Sequence, residues 1–198
     1  MLQLKKPLVL ASGSPRRKEL LEQVGLTFSI DVADVDENLE EDRPASLVEQ
    51  LSRKKALAVL QRHPKAIVLG ADTVVAYEDE ILGKPEDEAD ALNMLSMLAG
   101  RVHHVYTGVT ICSMEEGQPV MDTFHVCTKV SMYDTPRDLL EAYIRTGEPM
   151  DKAGAYGIQG MGAVLVKEIE GDYNNVVGLP VSEVFRRLDG MVHSQSYS

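Results

Sequence analysis

Leu8-Val9-Leu10-Ala11-Ser12-Gly13-Ser14-Pro15-Arg16-Arg17-Lys18-Glu19-Leu20-Leu21 is the stretch that decides the fold. Its three leading apolar residues have no polar face and are too few for a helix, so they read as a buried central strand. Ser12, Gly13 and Ser14 make a small polar turn. Pro15 stands at the first helical position, where a missing N–H costs nothing, and Ser14 is the expected N-cap. Strand, tight turn and helix in that order open an α/β layout. Arg16 and Arg17 place two positive charges where the helix macrodipole is already positive, so helix stability does not explain them. They are either plain surface residues or holders of an anion, met by guanidinium forks and turn N–H groups together. The chain has neither a G-x-x-x-x-G-K-[ST] loop nor a G-x-G-x-x-G fingerprint, so a phosphate site here is of another kind.

Working outward, the first helix spans 15–24 and stops at Gly25, and a strand follows over 27–32. Periodicity predicts a helix over 44–61 with Leu47, Val48, Leu51, Ala58 and Val59 as its apolar stripe. An apolar strand over 66–70 ends in Ala71-Asp72-Thr73, continues extended to Tyr77, and returns through Ile81-Leu82. A helix over 86–98 carries Ala89, Leu92, Leu95 and Leu98. Two long alternating strands, 102–113 and 119–133, flank a loop at 114–118. A helix over 136–146, a strand over 163–169, a connection over 174–179 and a helix from Pro180 to about Leu188 complete the order, and 190–198 reads as a frayed tail. The fold class is α/β with a mixed sheet and flanking helices.

The 198 residues fit one large domain or two lobes around a cleft. A net charge of −11 argues against a nucleic-acid-binding protein, and no apolar run approaches a membrane span. The N-terminus shows no secretory h-region, and Cys112 and Cys127 form no metal or redox motif. Both cysteines are expected to be reduced and buried in a cytoplasmic protein.

Several charged residues resist a packing explanation. Lys55 lies four residues from both Leu51 and Val59, on the buried side of its helix, so it either snorkels or meets a buried anion. The acidic loop 34–42 directly follows a strand and is either a solvated loop or a metal-ligand loop, with Asp36 and Glu37 as candidates. Asp72, at the end of a buried strand between small residues, sits where α/β sheets gather ligands. Lys84 rides the Gly83-Lys84-Pro85 turn. Lys152 belongs to a stretch, 148–162, whose four glycines in nine residues suit either a loop that hugs a ligand or a merely flexible one. His103 and His104 face opposite sides of a strand and cannot share one metal, so they read as ordinary strand residues. Arg16, Lys55, Lys84 and Lys152, with Asp36, Glu37 and Asp72, are what polyphosphate hydrolysis requires. Cations neutralise phosphate oxygens, carboxylates hold a divalent cation, and one carboxylate takes a proton from water.

Ala11-Ser12-x-Ser14-Pro15-Arg16-Arg17, Gly70-Ala71-Asp72-Thr73, Gly83-Lys84-Pro85 and the run Asp151-Lys152-Ala153-Gly154-Ala155-Tyr156-Gly157-Ile158-Gln159-Gly160 together resemble the Maf proteins. These are nucleoside triphosphate pyrophosphatases, also called septum formation inhibitors, and the resemblance spans residues 7–189. It implies an elongated mixed sheet like that of the inosine triphosphatase family, with two lobes around a cleft in a single domain. It also implies hydrolysis between the α- and β-phosphates with a divalent metal, magnesium or manganese. By motif, Asp72 resembles the proton acceptor, which also stands with Asp36 and Glu37 as a metal ligand. Ser12, Arg16, Arg17, Lys55, Lys84 and Lys152 resemble phosphate-handling groups, and Glu37 the acidic partner for metal or water. Arg16, Thr73 and Gln159 match the positions that mark the subfamily acting on dTTP and UTP. An amide at Gln159 presents both a donor and an acceptor to a pyrimidine O4/N3–H edge. Two further expectations are a homodimer, from exposed sheet edges, and, as the alternative to an enzyme, a cell-division regulator that binds nucleotide only as a ligand.

Overall fold

β1 (Leu8–Leu10) is buried at every position and pairs in parallel with both β2 (Phe28–Ile30) and β3 (Ile67–Tyr77). Being short and apolar on both sides, it suits only a central position. The computed structural model describes residues 2–194. Between these strands lie α1 (Pro15–Gln23) and α2 (Pro44–Arg62). There follow β4 (Glu80–Leu82), α3 (Glu88–Leu98), β5 (Val102–Glu115), β6 (Gln118–Met132) and α4 (Arg137–Ile144). Three short 3-10 turns occupy Glu148–Asp151, Ala153–Ala155 and Gly160–Leu165. β7 (Val166–Glu170), α5 (Tyr173–Val177) and α6 (Val181–Ser194) close the order. The seven strands form one mixed sheet in the order β2-β1-β3-β5-β6-β7, with β4 paired to β3.

One face of the sheet carries two apolar clusters. Ile67, Leu69, Val109, Ile111 and Phe124 pack with Leu20 and Leu21 of α1 and Val184 and Leu188 of α6. Farther along the same strands, Val75, Val105, Val130 and Met132 pack with residues of α3 and α4. Side chains alternate along a strand, so Thr73, Thr107 and Thr128 fall on this same face, between the clusters. They form a polar belt. Thr73 Oγ1 is 2.8 Å from Thr107 Oγ1, Thr107 donates to the Asn175 carbonyl, and Asn175 Nδ2 donates to Thr128 Oγ1.

The opposite face is covered by α2, whose Ala56, Val59 and Leu60 meet Val9, Val68 and Cys112. The helix backbone lies directly on the sheet at two glycines. A Cβ at Gly70 would run into the Ser52 carbonyl, and one at Gly108 into the Val48 carbonyl. Gly108 pairs with Asp72 across the β3–β5 ladder, so this close seating brings α2 over Asp72.

The mixed α/β architecture expected from the sequence is present, with local corrections. β3 is one unbroken strand of 11 residues, so Asp72 lies in mid-strand. It is β1 that stops, pairing only as far as Leu69, and this leaves Asp72 beyond the end of the parallel segment. The 114–118 loop is a two-residue turn, with Glu116 and Gly117 both at positive φ. Residues 160–165 coil rather than extend, and 173–177 form a short helix whose Asp172 carboxylate caps Asn174 and Asn175. Ser14 makes no side-chain cap; its own N–H is instead taken by Ser12 Oγ. Ala89 is exposed and Ala91 takes its place inside. In α2, Ala56 and Ser52 are buried while Leu47 and Ala58 are only partly so. Cys112 is buried as expected but Cys127 is exposed. α6 continues through Gly190 to Ser194, so the expected fraying is absent there; the remainder of that tail, 195–198, lies outside the described residues. No helix among the described residues is long and apolar enough to cross a membrane.

Candidate active site

α2 delivers Lys55 to β3. Its Nζ is 2.5 Å from Asp72 Oδ1 and 2.9 Å from Glu37 Oε1, on the acidic loop. Lys55 therefore does not snorkel; it meets the anionic partner that its buried-side position demanded. Asp72 is 13% exposed and Lys55 15%, narrow openings onto solvent, while Glu37 at 60% reaches in from outside. Asp36 is turned differently. Its carboxylate accepts the Asn38 N–H, and its carbonyl accepts from Lys54. Of the two acidic candidates on the loop, Glu37 is the one that shares a cation with Asp72.

A second charged group joins α1 to the glycine-rich segment. Arg16 Nη1 is 2.8 Å from Asp151 Oδ2, and Lys152 Nζ is 2.8 Å from Asp151 Oδ1. Burial alone would raise the Asp151 carboxyl, but hydrogen bonds from Lys152 and Arg16 outweigh it and hold it down at about 2. Two cations from distant segments thus share one carboxylate. Lys84 is exposed and makes no ion pair among the described residues. Its turn is docked to the same segment, because the Gly83 carbonyl accepts the Gly154 N–H at 3.0 Å.

Arg17 braces the ground between. Its Nε donates to the Gly178 carbonyl, one Nη to Ser12 Oγ and the Ala71 carbonyl, and the other Nη to Thr73 Oγ1. Four of the five N–H groups of a guanidinium are so engaged by protein acceptors. Burial lowers its pKa against the opposing pull of Asp72, and the charges of Arg16 and Glu37 also register on it. Both charged groups therefore lie in one neighbourhood. Ser12 and Thr73 are drawn into this brace, and Ser12 is buried. Gln159 is exposed, just before the Gly160–Leu165 turn, and its side chain makes no cap there.

Asp72 and Glu37 bring hard oxygen donors to a single cationic head, which is the donor set a magnesium or manganese ion takes. No group of three or more His, Cys, Asp or Glu side chains among the described residues would hold a metal alone. Magnesium commonly keeps its waters and completes its shell with substrate phosphates, so two carboxylates suffice for the fit. A separate concavity of about 440 Å³, lined by Tyr77, Glu78, Asp79, Glu80, Met97 and Arg101, includes none of these groups.

Residue chemistry in the sequence pointed to the charged groups but missed what holds them. Asp151 as the shared carboxylate, Glu148, Tyr143 and Asn175 had no assigned role. The capped Asp172-x-Asn174 turn that places Asn175 was the one local signal available.

The sequence model of a family described as "Maf-like protein" matches residues 7–191. A protein of Agathobacter rectalis named dTTP/UTP pyrophosphatase is 49% identical over 195 residues, covering 91% of this chain and 95% of its own. A protein of the same name from Geobacillus sp. is 52% identical over 184 residues, covering 92% and 97%. One from Bacillus cytotoxicus is 48% identical over 184 residues, covering 92% and 94%.

Proposed function

The chain belongs to the Maf-like protein family, and from that premise we propose that it is a nucleoside triphosphate pyrophosphatase acting on dTTP and UTP. The observation that carries the reading is the ammonium of Lys55 held between Asp72 and Glu37, next to Arg16 and Lys152 sharing Asp151. Without substrate, each of these cations leans on a carboxylate. A triphosphate tail supplies oxygens that Arg16 and Lys152 take in exchange and that the unpaired Lys84 takes directly, and charge-assisted contacts of this kind are the strong ones.

In this reading Asp72 is the general base. Its carboxylate accepts a proton from water, the water oxygen attacks phosphorus, the bond between the α- and β-phosphates breaks, and monophosphate and pyrophosphate leave. Lys55, at 2.5 Å, keeps the Asp72 carboxylate aimed. Arg17 holds the Ser12 hydroxyl, the Ala71 carbonyl and Thr73 in one frame, so that Asp72 is carried on a braced strand. A divalent cation, held by Asp72 and Glu37, supplies charge neutralisation at the phosphates. Gln159 and Thr73 read the pyrimidine. The proposal includes a cytoplasmic house-cleaning role, removing unwanted nucleotides before polymerases use them, and a homodimer.

Pyrophosphate release tests the reading. The purified chain is offered common and modified triphosphates with magnesium, and phosphate is counted after adding inorganic pyrophosphatase. dTTP and UTP are expected to turn over ahead of the rest, each giving its monophosphate. A chain that binds these nucleotides yet releases no pyrophosphate from any of them overturns it.

A further inference from the structure

Glu148 follows α4 at a distance of four residues, and its partly exposed carboxylate is bound to the glycine-rich segment. Oε2 accepts the Met161 N–H at 2.9 Å, and Oε1 accepts the Gly162 N–H at 3.0 Å. The Tyr143 hydroxyl donates to Oε1 at 2.9 Å and accepts the Gly157 N–H at 3.2 Å. Through two side chains, the backbone on both sides of Gln159 is tied to α4. The same residue also reaches the phosphate end, since its carbonyl accepts from Lys152 Nζ at 2.6 Å.

The glycines of this segment make room for that carboxylate. A Cβ at Gly160, where φ is +65°, would lie 2.7 Å from Glu148 Oε2, and one at Gly162 would lie 2.7 Å from the Tyr143 hydroxyl. Burial alone would raise the Glu148 carboxyl, but the Met161 and Gly162 N–H groups and Tyr143 outweigh it and hold it below the usual carboxylate range. The group is a partly buried carboxylate met by three donors, and that many partners favour one loop geometry. Gln159 itself makes no side-chain cap to the turn it precedes, so its direction is inherited from its neighbours.

We propose that Glu148, with Tyr143 as its bridge, is a positioning residue that sets the pyrimidine preference by fixing the loop on which Gln159 stands. This rests on the reading of the chain as a dTTP/UTP pyrophosphatase. It adds a residue that touches neither base nor phosphate, yet couples the two ends of the site. An amide in place of the carboxylate turns one acceptor into a donor facing the loop's N–H groups, which loosens 157–162 without emptying the space.

Steady-state kinetics on dTTP and dCTP test it with Glu148→Gln, Gln159→Ala and the double variant. For Glu148→Gln, KM for dTTP is expected to rise about tenfold, with kcat kept within about threefold of wild type. The dTTP-over-dCTP preference should collapse to that of Gln159→Ala, and the double variant should lose nothing more. Tyr143→Phe, which deletes only the bridging hydroxyl, is expected to move the same way by less. Wild-type preference in Glu148→Gln, or losses that simply multiply in the double variant, overturn the proposal. Amide hydrogen exchange at Gly157, Met161 and Gly162 is read in parallel and needs no substrate. Faster exchange in Glu148→Gln supports positioning even if the wild-type chain hydrolyses neither nucleotide, a result that would overturn the parent reading alone. Unchanged exchange overturns positioning whatever the activity.

Discussion

Lys55 and Asp72 stand on α2 and β3, where ladder and helix bonds hold the backbone and two glycines let the elements touch. Lys152 and Gln159 stand on a run of 3-10 turns with almost no regular bonding, where side chains hold the backbone instead. The first half is rigid because its scaffold is rigid. The second is tied by Glu148 and Tyr143, and Tyr156 within it is bonded to His103. The proposed function puts the chemistry in the first half. It puts discrimination in the second, where a shift of a fraction of an ångström would alter binding and leave Asp72 in place. An enzyme so divided can change its substrate by altering loop ties while its hydrolytic apparatus stays intact.

The sharpest way to break this comparison is at Asp72. Asp72→Asn removes the proposed proton acceptor from the rigid half, and kcat is expected to fall by about 10²–10⁴-fold. The melting temperature should hold, since Lys55 keeps Glu37 at 2.9 Å. Equal losses in kcat and melting temperature would mean that Asp72 serves the fold.

A smaller effect is expected where α2 meets the sheet. Gly108→Ala pushes a methyl group into the Val48 carbonyl, and the strain should cost about 1–3 kcal/mol by chemical denaturation. Turnover should fall with it, because moving α2 moves Lys55 away from Asp72. Unaltered stability would show that the close seating is slack and that the rigid half is less rigid than its contacts imply.

A third effect sharpens the comparison from the other side. His103 is fully buried, its Nε2 is 2.6 Å from the Tyr156 hydroxyl, and its Nδ1 has no partner among the described residues. Burial, with a lesser push from the charge of His104, lowers its pKa from 6.5 to about 4. The unfolded chain therefore takes up the proton more readily than the folded one. Stability is full above pH 6.5 and is lost as pH falls toward 4, with a slope of at most about 1.4 kcal/mol per pH unit. His103→Gln keeps a hydrogen-bonding group at Tyr156 but does not titrate, so its melting temperature should fall less over that range. An identical pH profile would remove His103 from the support of the loop.

Much of the architecture was legible from local pattern. The strand at 8–10, Pro15 at the helix start, and the alternation of the two long strands all declare themselves within a few residues, and all are present. Lys55 was legible too, because helical periodicity places it on the inner side before any partner is known. The unbroken β3 was not, since where a strand's functional position falls depends on where its neighbour β1 stops. The expected strand at 163–169 gave way over its first residues to a 3-10 turn gathered around Glu148. Arg17 is the clearest case of divided information. Its charge beside Arg16 suggested an anion holder, but the acceptors that engage it come from positions 5, 54, 56 and 161 residues away.

Residue order alone determined most of the strands and helices and which side chains carry charge without a packing reason, since both follow from near neighbours and intrinsic chemistry. Only the folded chain decided which carboxylate meets which cation and which arginine is a brace. A hydrogen bond requires its partners within about 3 Å, and proximity on that scale between residues far apart in sequence is a property of the packed elements.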